Sequence, residues 1–382
     1  MARDRTTVTA IDDTRRKALE LSRDLAPTAK NLDRVSRSVG VEASRWAFNQ
    51  WELRKRASSK FQRASEMYFD REGLEMASHE TLAESVHARG FPPGSRVADL
   101  TCGLGADLVR LSRGRTAIGY EIDSERAAYA QHNLAVHGCD AEIRIRDCLS
   151  EPWDFEYAFA DPARRSRGVR TLDPAQFMPN LTELASRMKS LKRGVIKLSP
   201  MLSDEFLESL SPDRAFVSHQ GECKEVLVFL GTEKRCPQET GVWAYLEPGG
   251  KSFKGEVTLA DTVDEPGRFI VEADPAAIRA HALGNFGLTG LGDSNGYLSA
   301  DEIFDWPRVF ETLWHGTYRV SDVKQALEDQ DLRIQAVKVR GVELDVDKVR
   351  KQLLRPKGSP CVLIVYPVRR STRAVLARLV ER

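Results

Sequence analysis

The chain's 382 residues hold 57 Lys and Arg against 56 Asp and Glu, with 41% hydrophobic residues, enough for two or three domains with substantial cores. No apolar run approaches the ~20 residues of a membrane span, and the Arg- and Asp-rich first 24 residues lack the apolar stretch of a secretory signal. Six scattered cysteines without a Cys-x-x-Cys pair, and seven histidines without metal-ligand spacing, predict neither a disulfide framework nor a metal site and fit a reduced, cytoplasmic setting.

In chain order, the first ninety residues carry helical spacing and few strand signals. "SRWAFNQWELRKRASSKFQRASEMYF" sets Trp46, Phe48, Trp51, Leu53, Phe61 and Met67 in a helical rhythm with basic residues between them. "SHETLAESVHARG" follows, with Ser78 as a helix N-cap and Gly90 as a stop. From residue 96 the pattern alternates. Strands are expected over 96–102, 116–122, 141–147, 157–161, 194–199, 214–220 and 225–231, and helices near 104–113, 124–137, 174–191 and 203–210. Such alternation predicts a doubly wound α/β sheet with helices on both faces. Only "GECK" separates the last two strands, too short for a parallel crossover, so they form an antiparallel hairpin. After residue 232, "EKRCPQETG" reads as a linker. A strand-rich piece (242–272), a glycine-rich turn region and a closing strand, turn, helix capped near Asp345, and strand complete the chain. The expected division is an N-terminal helical domain (1–90), an α/β domain (91–235) and a C-terminal α+β domain (236–382).

The near-zero net charge hides segregation. Residues 34–63 hold eight basic residues against two acids, residues 161–193 eight against three, and residues 333–382 thirteen against four, whereas residues 241–332 carry sixteen acids against seven basic residues. Basic segments of this kind are the footprint of a polyanion site, although solvated helix faces produce them too. In residues 34–63 the basic residues, Lys60 among them, interleave with aromatic rings, as in sites where cations track phosphates and rings stack bases. For Trp46 and Trp51 a place in the helical core is the favoured alternative.

"VADLTCGLGADLVRL" (97–111) reads as strand, tight turn and helix. Gly103 and Gly105 permit close backbone approach to a ligand, but Leu108 stands where a dinucleotide fingerprint has its third glycine. Ligands of such a sheet sit at the carboxyl ends of its strands, and the first four end in carboxylates: Asp99, Glu121, Asp147 and Asp161. That row repels a pyrophosphate and suits a cationic ligand with a ribose and an adenine, which describes S-adenosylmethionine. Gly103, Gly105 and Thr101 line the turn, with Asp99 orienting it or meeting the ammonium. Glu121 accepts from the ribose hydroxyls, Ile122 packs on the adenine, and Asp147 with the Cys148 backbone N–H meets the adenine edge. Asp99 and Asp147 also read as caps of the helices that follow them.

The ordered segments "DLTCGLGAD", "GYEID", "RDC" and "ADPARR" resemble those of the class I S-adenosylmethionine-dependent methyltransferases. The resemblance implies a seven-stranded Rossmann-like sheet and that cofactor. With "SSKFQRASEMYFDREGLEMAS" (58–78), "GYLSADE" (296–302) and "VKVRGVELDVDKVRKQL" (337–353), the layout is similar to a bacterial group with an N-terminal helical extension and a C-terminal THUMP-like domain. It implies an RNA methyltransferase acting on a structured RNA such as tRNA or rRNA.

Where methyltransferases of nucleobase nitrogens usually carry Asp/Asn-Pro-Pro-aromatic, this chain has Asp161, Pro162, Ala163 and Arg164. Asp161 and Pro162 keep the amine-accepting part, while Arg164 replaces the stacking ring and offers a guanidinium plane or a phosphate clamp; surface ion pairs of Arg164 and Arg165 with nearby acids are the open alternative. Arg165, Lys197 in "KLSP", and Arg369 and Arg370 near the C-terminus complete the candidate substrate contacts. For Lys197, approach to a phosphate and a solvated strand end are equally open. Methylation at pyrimidine carbon 5 is disfavoured, because no cysteine lies within 149–222 to act as nucleophile. Two rivals stay open: a small-molecule or protein methyltransferase, and a non-catalytic RNA-binding protein on the same scaffold.

Overall fold

The computed structural model describes residues 11–163, 165–166, 169–170, 173–233 and 236–381. The chain forms two compact units, Met1–Arg214 with Glu225–Thr240, and Ala215–Lys224 with Gly241–Arg382. Among the described residues no helix is long and apolar enough to cross a membrane.

The first unit opens with α1 (Asp13–Ser22), α2 (Ala29–Val39) and α3 (Val41–Ala57). Side chains of Asp12 and Thr28 cap α1 and α2 by accepting from the Arg15 and Asn31 amides. The short α4 (Arg71–Met76) follows. Leu19, Ala47, Leu53, Phe61, Met67 and Phe69 form a core that also takes in Leu104 and Tyr129 from the α/β part. Trp46 Nε1 donates to the Tyr129 hydroxyl at 2.7 Å and Trp51 Nε1 to Ser22 Oγ at 3.0 Å, so both indoles belong to this core.

The parallel strands are β1 (Arg96–Asp99), β2 (Thr116–Glu121), β3 (Glu142–Ile145), β4 (Tyr157–Ala160) and β5 (Arg193–Leu198). β1 pairs with β2 and β4, β2 with β3, and β4 with β5. The hairpin is present: β6 (Arg214–His219) turns at Gln220–Gly221 into β7 (Glu222–Leu230), which runs antiparallel to β5. In the second unit β8 (Val242–Glu247) pairs antiparallel with β9 (Lys251–Lys254). The crossover helices are α5 (Ala106–Leu111), α6 (Ser124–Val136), α7 (Leu181–Met188) and α8 (Asp204–Leu210). Asp123 caps α6 through the Arg126 amide. The helix expected over 174–191 shrinks to α7, capped by Asn180, because a proline holds its predecessor out of helical geometry and Pro179 stands just before that cap.

In the second unit, β10 (Thr262–Val263), β11 (Phe269–Glu272), β12 (Thr289–Leu291), β13 (Tyr297–Ala300), β14 (Val309–Thr317), β15 (Leu332–Val339), β16 (Ser359–Val368) and β17 (Ser371–Leu379) form an eight-stranded sheet ordered β10-β12-β13-β11-β14-β17-β16-β15. Helices α9 (Pro275–Arg279), α10 (Val320–Asp329) and α11 (Val346–Gln352) accompany it, and Asp345 caps α11 as expected. The sequence reading ended at β16; β17 is an additional strand. Its Ala374 and Leu376 enter one core while Val375 and Ala377 enter another. Both faces being buried, the strand shows no polar–apolar alternation.

Candidate active site

The turn after β1 is where the first candidate ligands gather. Asp99 is buried and accepts from the Thr101 amide at 3.1 Å. Burial pushes its carboxyl well up, reinforced by nearby Asp107 and opposed by that amide. Gly103 (φ +53°) and Gly105 (φ +82°) hold the left-handed conformations that the turn into α5 requires. The missing third glycine has a structural answer. Leu108 lies over Gly119 of β2, where a Cβ would come within 2.6 Å of its side chain, so the strand rather than the helix supplies the glycine for close packing.

At the end of β2, Glu121 is buried and accepts from the Asp123 amide at 2.9 Å. Burial raises its carboxyl, opposed by that amide and by Arg126. Its neighbour Ile122 is 68% exposed, an apolar surface at the strand end. Asp147 caps the turn Cys148–Ser150 by accepting from the Leu149 amide at 2.9 Å, so the capping role is real. Its carboxylate has further acceptor positions. Cys148 is buried, which pushes its thiol up to about 12.

Asp161 follows directly after β4; its amide donates to Thr101 Oγ1 at 2.7 Å, and Pro162 behind it is buried. Burial raises the Asp161 carboxyl and Lys197 pulls it down. Lys197 is neither at a solvated strand end nor poised for a phosphate. It is buried on β5, with Nζ 2.5 Å from Asp161 Oδ2 and donating to Ser78 Oγ at 2.8 Å. Ser78 is accordingly not a helix cap: His79 accepts from the Thr81 amide in that position, and Ser78 Oγ donates to Asp107 Oδ2 at 2.7 Å. Asp107 in turn meets His87 Nδ1 at 2.5 Å, and His87 Nε2 meets Glu225. Burial works against the His87 cation, but Glu225 and Asp107 outweigh it and raise the imidazole to about 10. Sequence reasoning missed Asp107, His87 and Glu225, which lie up to 138 residues apart.

The remaining candidates divide. Arg164 and the side chain of Arg165 lie outside the described residues. Lys60 is corrected: its ammonium donates to the carbonyls of Leu74, Glu75 and Ala77 at 2.8, 3.3 and 2.9 Å, closing the end of α4 rather than presenting a charge to a polyanion. Arg369 and Arg370 are exposed in the turn between β16 and β17, with Arg369 3.4 Å from Asp264. Arg373 is half-buried and paired with Glu265.

The solved structure of a protein from Porphyromonas gingivalis W83 assigned as a methyltransferase superposes with a TM-score of 0.78, at 22% identity, covering 97% of this chain and all of that one. The fold is that of a methyltransferase. Two uncharacterized S-adenosylmethionine-dependent methyltransferases of Mycobacterium tuberculosis, from strains CDC 1551 / Oshkosh and H37Rv, are each 28% identical over 344 residues, 84% of this chain and 91% of theirs. Residues 307–379 match the family model described as THUMP domain-like.

Proposed function

We infer that the chain is an S-adenosylmethionine-dependent methyltransferase that modifies a base nitrogen of a structured RNA. The observation carrying the reading is the convergence of Asp99, Glu121 and Asp161 at the carboxyl ends of adjacent parallel strands, around a turn opened by Gly103 and Gly105. These groups suit the cofactor: buried acids for its ammonium and ribose hydroxyls, and the exposed Ile122 for its adenine. The bound cofactor supplies an electrophilic methyl group on a sulfonium.

The chain's own work is alignment. Glu121 accepts from the ribose, Asp147 and the Cys148 amide meet the adenine edge, and Asp161 accepts a hydrogen bond from the target amine. Asp161 would aim the acceptor nitrogen's lone pair at the methyl group that the cofactor would supply, and the surplus amine proton would leave to water. In-line transfer to a neutral nitrogen needs orientation more than strong base catalysis.

RNA as the acceptor is supported by the THUMP domain-like residues 307–379 and by thirteen basic residues against four acids over 333–382. In this reading residues 1–90 support the site, 91–235 carry the chemistry and 236–382 hold the nucleic acid, with Arg369 and Arg370 on phosphates. Arg164 in place of an aromatic ring favours the second reading, a small-molecule or protein acceptor. Transfer of tritiated methyl into pooled tRNA and rRNA by the wild type and Asp161→Ala separates them. The RNA reading expects wild-type incorporation, loss of it in the variant, and S-adenosylmethionine affinity unchanged within a few-fold.

A further inference from the structure

We propose that Lys197 is the positioning residue of the acceptor site: it holds one oxygen of the Asp161 carboxylate, leaving the other for the acceptor, and a buried chain of side chains holds Lys197 in turn. The proposal rests on the reading of Asp161 given above.

The geometry has three parts. Lys197 Nζ contacts Asp161 Oδ2 at 2.5 Å, so that oxygen is committed. The same ammonium donates to Ser78 Oγ, which passes its own hydrogen to Asp107 Oδ2, giving the lysine a second fixed partner. Asp107 is braced by His87, which contacts Glu225 on its far side and stacks on Phe159, two residues before Asp161, with ring centroids 5.1 Å apart. A displacement of Ser78 or His87 is therefore transmitted to the carboxylate that closes β4.

Stability alone gives little reason for this arrangement. Burying an ion pair costs about what its attraction returns, and an apolar side chain of similar volume at 197 would serve a core as well. What an apolar residue cannot do is keep Asp161 ionised and oriented. The charged groups around it are Lys197 on β5, Asp107 on α5, Glu225 on β7 and Asp99 on β1, with His87 between Asp107 and Glu225. Without Lys197, three neighbouring acids would favour the protonated carboxyl of Asp161. With it, the carboxylate remains an acceptor beside a nitrogen that gains positive charge during transfer, the kind of preorganised electrostatics that lowers a barrier.

The test compares wild type with Lys197→Met, Lys197→Arg and Ser78→Ala as full-length proteins. Methyl transfer from tritiated S-adenosylmethionine to pooled RNA is followed against pH. In parallel, the Asp161 carboxyl carbon is titrated by carbon-13 NMR and assigned with Asp161→Asn. Lys197→Met is expected to lower kcat at neutral pH by at least ~10-fold, with the KM for S-adenosylmethionine within about three-fold. Its acid limb and the Asp161 titration should rise together by about one pH unit or more. Lys197→Arg restores part of kcat, and Ser78→Ala, which leaves the ion pair in place, shifts both readouts less in the same direction. A lowered melting temperature with unchanged kcat and acid limb in Lys197→Met and Ser78→Ala assigns Lys197 a structural role and overturns the proposal. An unmoved Asp161 titration overturns it as well. If the wild type transfers no methyl to RNA, the functional reading fails separately, and the titration alone decides whether Lys197 controls Asp161.

Discussion

The backbone amide of Asp161 donates to Thr101 Oγ1 at 2.7 Å, so the residue that closes β4 is tied to the turn that closes β1. Thr101 also gives its own amide to Asp99. One threonine thus fixes the spacing between the two strand ends from which cofactor and acceptor groups are proposed to project. Thr101→Val keeps the shape and removes the acceptor, leaving the Asp161 amide without its partner at a cost of about 1–3 kcal/mol. The expected outcome is a lower melting temperature together with reduced kcat, and cofactor affinity that changes far less. Calorimetry and single-turnover transfer measure the two separately.

Glu121 tests the cofactor side. Its carboxylate gives one position to the Asp123 amide, and further acceptor positions suit the ribose hydroxyls. Glu121→Ala should weaken S-adenosylmethionine binding by about 1.5–3 kcal/mol, the scale of hydrogen bonds to a charged group. Equal affinity in titration calorimetry would remove Glu121 from the cofactor shell.

The buried His87 predicts a pH dependence of stability. Its folded pKa is raised to about 10 from an ordinary 6.5, so its stabilisation is fully present below about 6.5 and is lost as pH rises through about 10. The wild-type melting temperature should therefore fall between pH 7 and 10 by more than that of His87→Gln. The variant starts lower, because Asp107 and Glu225 lose the cation between them, but it follows a flatter alkaline slope. Parallel slopes would show that His87 is neutral in the folded protein.

Most of the first unit's layout was legible in the sequence, because strands that end in Asp99, Glu121 and Asp161 announce themselves through apolar runs stopped by an acid. The carboxylates proposed as ligands were found for the same reason. Lys197 was noticed and misread: its partners Asp161 and Ser78 are 36 and 119 residues away, and nothing local says that a strand lysine is buried. Lys60 failed similarly, since a cation closing α4 looks in sequence like any solvated one. β17 escaped because both its faces are covered, which removes the alternation that marks a half-buried strand.

The same limit narrows the polyanion surface. Arg373, paired with Glu265, is a poor phosphate contact, whereas Arg369 and Arg370 are exposed. If both meet RNA phosphates, Arg369→Glu with Arg370→Glu should weaken binding and reduce the slope of log affinity against log salt by about 1.4–1.8, at roughly 0.7–0.9 per contact. Fluorescence anisotropy across a salt series gives the slope. An unchanged slope places the RNA elsewhere.

The central claim is methyl transfer to a base nitrogen of RNA, and the most direct measurement is nucleoside mass spectrometry. RNA from cells lacking the gene is incubated with the full-length protein and S-adenosylmethionine carrying a deuterated methyl group, then digested to nucleosides. The account predicts one N-methylated nucleoside bearing the deuterium label with wild-type protein and none with Asp161→Ala. Label absent from every nucleoside, but present in a small molecule or a protein of the same extract, would contradict it.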